Sequence, residues 1–378
     1  MELTRDEEEA LAGGAGEAEQ AAYRILVAAG EAAGAERLVP VSWAHLSGVN
    51  YNTIGPAGER FLADMARTAR FRIRATVNPM GYDRDSVDRY GLPATFIEGQ
   101  ESIARSYGVM GAEPSFTCAP YDVLDMPAGG GQVALAESNA AIHANSFDNL
   151  HTNKESSFTA LASAITGKSP LTPLRGGAGP DAEVRVRMDD PDELECGLLG
   201  YFAGRVGRES VRISGLGAPD RRRCKALCGG MGTSGTCAKI VLGEGGGDCE
   251  AVDFGREEAR AVRDELDTAD GGDAIVLGSP QLGPQELADL AARVGGRRFT
   301  KRCIVFCPRA ARGAATERLE AAGCEVLSDC CACLSPLITK EAADSVITNS
   351  VKGAYYLNAG GVRTDLEPLS EILRGYLG

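Results

Sequence analysis

The last third of the chain limits the possible folds most. Short apolar runs alternate there with helical segments, and each run ends in a small, polar or proline-containing turn. Ala274-Ile275-Val276-Leu277-Gly278 reads as a buried strand, followed by Ser279-Pro280-Gln281 and a helix from Pro284. Cys303-Ile304-Val305-Phe306 runs into Cys307-Pro308 ahead of a helix over 312–322. Glu325-Val326-Leu327 stops at Ser328-Asp329-Cys330-Cys331, and Ser345-Val346-Ile347 stops at Thr348-Asn349-Ser350. Strands joined through helices pair in parallel, so their carboxyl ends share one edge of the sheet, where ligands bind in open α/β folds. The expected class is α/β: a multi-domain core of βα units with its site at the strand carboxyl ends.

The first half repeats the pattern less cleanly. Thr4, with Glu7 three residues on, makes a capping box for a helix over 4–33. A strand within 37–43 ends at Ala44-His45-Leu46-Ser47-Gly48, and one within 72–77 ends at Asn78-Pro79-Met80-Gly81. Helices over 57–69 and 96–109 lead into the second strand and into Ser115-Phe116-Thr117-Cys118-Ala119-Pro120-Tyr121. Pro120 removes a backbone donor there, which suggests a structured loop with a partly exposed Cys118 thiol. The Gly/Pro stretch 167–181 is the expected linker. It divides the chain into an N-terminal α/β part, 1–170, with the polar segments, and a C-terminal part, 171–378, whose βα series carries Ser279, Cys307 and Cys331.

Charge and composition exclude several functions. The chain carries 39 Lys+Arg against 53 Asp+Glu, a net charge of −14, which argues against a nucleic-acid partner. No apolar run approaches the roughly 20 residues of a membrane span. The acidic N-terminus has no apolar signal core, so the expected compartment is the cytoplasm. Twelve cysteines against three histidines mean that any bound metal takes mostly thiolate, which favours iron–sulfur chemistry, zinc or another soft metal. Most of these cysteines should nonetheless be small buried hydrophobes. Cys330 and Cys333 form a C-x-x-C, but a zinc ribbon needs a second and none exists.

Gly230-Met231-Gly232-Thr233-Ser234-Gly235 fits G-x-G-x-x-G with its context reversed, because a helix precedes it and a strand follows. It is not expected to bind a dinucleotide. A denser polar signal runs from Glu137-Ser138-Asn139 through His143-Ala144-Asn145-Ser146 to Thr152-Asn153-Lys154-Glu155. Small amides and hydroxyls at that density suit carboxylate or phosphate oxygens, or alternatively a capped helix start.

These segments resemble the aconitase X family over nearly the whole chain. The resemblance is carried by Ala44-His45-Leu46-Ser47-Gly48 with Tyr51, Asn78-Pro79-Met80-Gly81 with Asp83, and Thr117-Cys118-Ala119-Pro120-Tyr121. It continues in Glu137-Ser138-Asn139, Ala144-Asn145-Ser146, Thr152-Asn153, Asp329-Cys330-Cys331, and Thr348-Asn349-Ser350 with Lys352 and Tyr356. It implies an aconitase-like fold and a hydro-lyase that removes water from a small hydroxy acid at a cysteine-held iron centre. Phosphomevalonate dehydratase and cis-3-hydroxy-L-proline dehydratase are the family's known activities. It also implies a small swivelling domain, absent from this chain, so the chain resembles a large subunit needing a small-subunit partner.

Two departures stand out. The family's three cysteines fall at Cys118, in a Gly-Cys-Pro-His sequence and in an Asp-Thr-Cys sequence. The second reads Gly278-Ser279-Pro280-Gln281 here, so a thiolate is replaced by a hydroxyl. Cys307, on the next strand end, is the expected replacement, with Cys330 and Cys333 as spares. The implied metal set is thus Cys118, Cys307, Cys331 and Ser279, holding a [4Fe–4S] cluster, with mononuclear iron or [2Fe–2S] as alternatives. The second departure is the stretch Leu174–Gly179, which lacks the family's Gly-Leu-His…Arg pattern and points to a different substrate.

His45, Ser47 and Lys352 are the catalytic candidates, with packing of His45 against Trp43 as the plainer alternative. The substrate would be held by Gly48, Asn78, Glu137, Ser138, Asn139, Asn145, Ser146, Thr152, Asn153, Thr348, Asn349 and Ser350. Competing readings are a non-catalytic paralogue that binds a metabolite or partner, and a zinc or redox-thiol protein.

Overall fold

The structure is a computed structural model describing residues 1–177, 179–244 and 249–378. Three parallel sheets carry the chain, and their strand order explains where a ligand can enter. Five strands in the last third lie in the order Glu325–Ser328, Arg302–Cys307, Ala274–Leu277, Ser345–Thr348, Arg363–Leu366, every neighbour parallel. The chain starts in the centre at Ala274–Leu277, builds outward, then returns to lay Ser345–Thr348 on the other side. A crevice must open where the direction reverses, outside Leu277 and Thr348. Ser279 and Ser350 sit at its two lips.

The first part repeats this on a smaller sheet ordered Arg74–Val77, Trp43–Leu46, Ala134–Leu135. Its reversal lies outside Leu46 and Leu135, which leads into Ser47-Gly48 and Ala136-Glu137-Ser138. A parallel bond between Met80 and Cys330 links the two parts along this edge. The second half thus holds two sheets: a four-stranded parallel one, Lys239–Leu242, Ser210–Ser214, Ala182–Val186, Ala251–Phe254, precedes the five-stranded one.

Several local expectations are adjusted. The capping box of Thr4 and Glu7 forms, but the helix over 4–33 splits into Arg5–Leu11 and Glu17–Ala32. Gly13 and Gly16 between them adopt φ of +103° and +97°, which only glycine takes cheaply. The strand within 37–43 becomes two, Leu38–Pro40 and Trp43–Leu46. Leu38–Pro40 pairs antiparallel with Lys168–Pro170, so the linker stretch begins as a strand. Ala178, within that stretch, lies outside the described residues. Arg175 in the same stretch is fully buried and donates to Gln132 Oε1, to the carbonyls of Val133 and His151, to Glu155 and to Ser169.

The G-x-G-x-x-G sequence is helical through Ser234, within Arg221–Ser234. That helix packs against Glu193–Val206 with backbones nearly touching. A Cβ on Gly200 would meet the Leu227 backbone, one on Gly230 the Gly197 carbonyl, and one on Gly235 the Gly204 carbonyl. Gly232 turns the other way, where a Cβ would lie 2.7 Å from Ser138 Oγ. The glycines serve helix packing, which the reversed context had already separated from a phosphate loop.

Candidate functional site

A cavity of about 510 Å³ opens between the two strand-order reversals. Its lining includes Ser47, Gly48, Asn78, Glu137 and Ser138 from the first part and Ser279, Cys331, Cys333 and Lys352 from the last third, with Cys118. Nine of the nineteen site residues expected from the sequence therefore converge: Ser47, Gly48, Asn78, Cys118, Glu137, Ser138, Ser279, Cys331 and Lys352.

A charged network crosses from one part to the other. Lys352 Nζ donates to Glu137 Oε1 and Asn139 Oδ1, both at 2.5 Å. Asn78 Nδ2 donates to Glu137 Oε2 at 2.8 Å, leaving Asn78 Oδ1 buried without a partner among the described residues. Burial opposes the charge on Lys352, but Glu137 together with Cys118, Cys333 and Tyr356 holds the ammonium's pKa well above normal. Lys352 is therefore a fixed positive charge and not a proton carrier. Asn139 acts from behind the wall, donating to the Cys118 carbonyl at 2.9 Å and to Tyr121 Oη at 3.1 Å.

Three thiols face the cavity. Cys118 is 3 % exposed, not partly exposed as its loop suggested, and burial pushes its thiol up to about 12 against the pull of Lys352. The backbone N–H of Gln281 donates to its sulfur at 3.3 Å. Cys331 and Cys333 share a proton: their mutual hydrogen bond raises the first thiol and lowers the second, which Lys352 and Ser279 also favour as thiolate. Ser279 Oγ lies 2.7 Å from Cys333 Sγ.

Cys307 is a correction. Its sulfur packs in the apolar cluster with Leu277 and Leu287, 3.9 Å from Ser328 Oγ, and does not line the cavity. A one-residue step reverses side-chain direction in a strand, and Cys307 falls on the core face with Val305, opposite to Phe306. Cys330 likewise packs with Phe306 and Leu327.

His45 is also displaced from its expected role. It is wholly buried, with Nδ1 2.7 Å from Thr76 Oγ1 and Nε2 2.9 Å from the Thr117 carbonyl. A carbonyl only accepts, so Nε2 carries the proton. Burial pushes the imidazole down to about 4, so it stays neutral and fixes the residue preceding Cys118. The tilted Trp43 ring lies 6.0 Å away, matching the packing alternative.

The remaining polar residues hold the frame. Asn145 clamps the Thr152 backbone and the Ala238 carbonyl, and Ser146 donates to Ile142 and accepts from Ile240. Thr152 Oγ1 accepts from Leu135, and Asn153 ties Glu155 to Pro170 and Thr172. Thr348 accepts from the Ser350 N–H. Ser350 caps the helix Val351–Ala359 and donates to the Ser279 carbonyl. Asn349 donates to Glu193 beside a small adjoining cavity of about 30 Å³.

The sequence reading gave no site role to three contributors, Lys154, Glu155 and Gln281, and only a reserve role to a fourth, Cys333. Lys154 lines the cavity with one chain acceptor, the Gly235 carbonyl at 2.6 Å, and burial lowers its pKa. Glu155 lines it too; its Oε1 accepts from Asn153, Ser169 and Arg175, while among the described residues Oε2 has no partner. Cys333 was weighed only as a spare. Gln281 is the wholly buried hub: it exchanges hydrogen bonds with Cys118 and donates to the carbonyls of Phe116, Cys307 and Cys330. A lone glutamine in a turn carries no periodicity or spacing signal, so only the fold reveals it.

The donor set is soft: three thiols around one cavity, two fixed ammonium groups nearby and no imidazole. Among the described residues, no three His, Cys, Asp or Glu side chains close on a single point. Three thiols lining one cavity without an imidazole suit an iron–sulfur group, in which each iron takes one thiolate.

The chain is similar to known proteins along nearly its whole length. Models of the aconitase X first, second and third domains match residues 1–175, 180–268 and 272–377. The phosphomevalonate dehydratase large subunit of Aeropyrum pernix is 34% identical, covering 98% of this chain and 99% of its own. The cis-3-hydroxy-L-proline dehydratase of Pseudomonas aeruginosa is also 34% identical, but the match covers 92% of this chain and 64% of that longer protein. The holo-form crystal structure of Thermococcus kodakaraensis aconitase X superposes with a TM-score of 0.91 at 29% identity, covering 100% of both chains. Matched across three successive domains and at full length, the chain belongs to the aconitase X family.

Proposed function

We propose that this chain is the large subunit of an iron-dependent hydro-lyase that removes water from a small, anionic hydroxy acid. The observation that carries the reading is the cavity itself, lined by three thiols together with the charged side chains of Glu137, Lys352, Lys154 and Glu155. A [4Fe–4S] group held by Cys118, Cys331 and a third donor at the Ser279 corner would supply Lewis acidity for the departing hydroxide.

The chain's own residues do the rest. Lys154 uses one of three ammonium donors on Gly235, which leaves two for a carboxylate or phosphate. The helix starts at Ser138 and Val351 add positive partial charge at the same mouth. Lys352 keeps Glu137 oriented. Glu155, with one oxygen uncommitted, accepts the carbon-bound proton. Retention of this interlocked charge network favours an enzyme over a non-catalytic binding protein.

A small-subunit partner completes the enzyme, as the large-subunit names of full-length relatives suggest. No helix among the described residues is long and apolar enough to cross a membrane, which suits the cytoplasmic compartment expected from the sequence. The test is anaerobic assay of the iron-loaded chain, alone and with a small subunit, on 5-phosphomevalonate and cis-3-hydroxy-L-proline. Turnover of one substrate by the pair and none by the chain alone is expected. An iron-loaded pair that dehydrates neither overturns the substrate class.

A further inference from the structure

We infer that Cys333 supplies the third thiolate of the iron site and that Ser279, at the neighbouring strand end, has become the hydroxyl that hydrogen-bonds its sulfur. The inference rests on the iron-dependent reading above and names the sulfur that completes it.

Three sulfurs open on the cavity, those of Cys118, Cys331 and Cys333. The two other nearby cysteines are committed elsewhere, Cys307 with Leu277 and Leu287, Cys330 with Phe306 and Leu327. At 2.7 Å, Ser279 Oγ and Cys333 Sγ occupy one corner and would compete for one coordination position. A soft metal takes the thiolate over a neutral hydroxyl. The hydroxyl proton is then free to donate to the bound sulfur, the kind of outer contact that orients a ligand and tunes its metal. Ligation forms one iron–sulfur bond and releases the thiol proton to solvent.

The turn that carries Cys333 is held from the other part of the molecule. Asn50 Nδ2 donates to the Leu334 carbonyl at 3.0 Å and Asn52 Nδ2 to the same oxygen at 3.4 Å. Ser279 is fixed from the opposite side by Ser350, which donates to its carbonyl. Both members of the corner are thus anchored by separate elements, as a preformed ligand site requires.

The test is anaerobic reconstitution of the full chain with ferrous iron and sulfide, read as iron and acid-labile sulfide per chain and as visible absorption. Wild type should load. Cys333→Ala should lose at least fivefold of its iron and the visible band, Cys307→Ala should keep both, and Ser279→Cys should restore them to Cys333→Ala. Circular dichroism reports whether each variant folds; if Cys333→Ala does not, the double variant decides, since iron bound there supports the exchange and none refutes it. If Cys333→Ala folds and loads like wild type, or if Cys307→Ala loses the iron, the inference falls and the iron reading stands. If wild type takes up no iron or sulfide, the iron reading itself falls and takes the inference with it.

Discussion

Gly230→Ala tests the packing of the two glycine-bearing helices in a way that reverses the usual sign. In an unobstructed helix, replacing glycine by alanine stabilises by about 1 kcal/mol, because it reduces the freedom of the unfolded chain. At position 230 the added Cβ would lie 2.9 Å from Tyr201 N and 3.0 Å from the Gly197 carbonyl carbon, and closer still to the Gly197 oxygen. Ordinary contact is about 3.5 Å, and backbone atoms cannot swing aside as a side chain can. The helices would have to part, at the upper end of the overpacking range, about 3 kcal/mol. After the helix gain, a net loss of about 2 kcal/mol is expected. Gly108→Ala is the control: it sits in the helix Ala94–Met110, with nothing within 4 Å of the new methyl, and should gain about 0.5–1 kcal/mol. Urea midpoints followed by circular dichroism should move in opposite directions. If both rise, the close backbone approach is wrong.

Three other outcomes follow from side chains around the site. Burial, then Glu286, raises Glu193 from 4.5 to about 7, so the folded chain holds a proton that the unfolded chain releases near 4.5. Stability should fall as pH rises between those values, by at most about 3 kcal/mol, and Glu193→Gln should flatten that part of a Tm-against-pH profile; parallel profiles would refute the shift. Arg175→Met strands Glu155 and two buried carbonyls, so a loss of about 3–5 kcal/mol is expected in denaturant melts, and a change under 1 kcal/mol would contradict the burial of the pair. Lys154→Gln should raise KM for an anionic substrate about tenfold or more while kcat changes less, as loss of one charge-assisted hydrogen bond implies; an unchanged KM removes Lys154 from substrate binding.

The alternation of apolar runs and helices made four strands of the five-stranded sheet legible, because both faces of those strands are buried and each ends in a turn; Arg363–Leu366, with a charge at either side of its threonine, gave no such run. In the four-stranded sheet the strand from Ala182 and the one after Gly235 were legible, whereas Ser210–Ser214 and Ala251–Phe254 carry an arginine and an aspartate that break the apolar run. Motifs at strand ends did mark residues that line the cavity, as with Ser47, Glu137, Ser279 and Cys331. The cavity was misread at Cys307, because a run of apolar residues does not say which face its last residue joins. Asn145, Ser146, Thr152 and Asn153 look like ligand groups in sequence for the same reason that they serve as staples. Small polar side chains suit backbone groups and substrate oxygens equally, and only burial separates the two uses.

The site depends on all three matched domains, though they contribute different things. The first supplies Cys118 and Glu137, the third Ser279, Cys331, Cys333 and Lys352, and neither set is held without the other. Glu137 is oriented by Lys352 from the third domain, and Cys118 by Gln281 from that same domain. The second domain brings no titratable group to the cavity wall but a surface with side chains removed. Gly232 admits the helix start at Ser138, and Gly229 would place a Cβ only 3.4 Å from Pro280 and 3.8 Å from Lys352. A Cβ at position 232 would press on Ser138, while at position 229 a methyl would just touch Pro280 and Lys352 and only a larger side chain would displace them. The glycine-rich helix is thus the backing on which the charged network rests, so its sequence is constrained by the site although it takes no part in the chemistry.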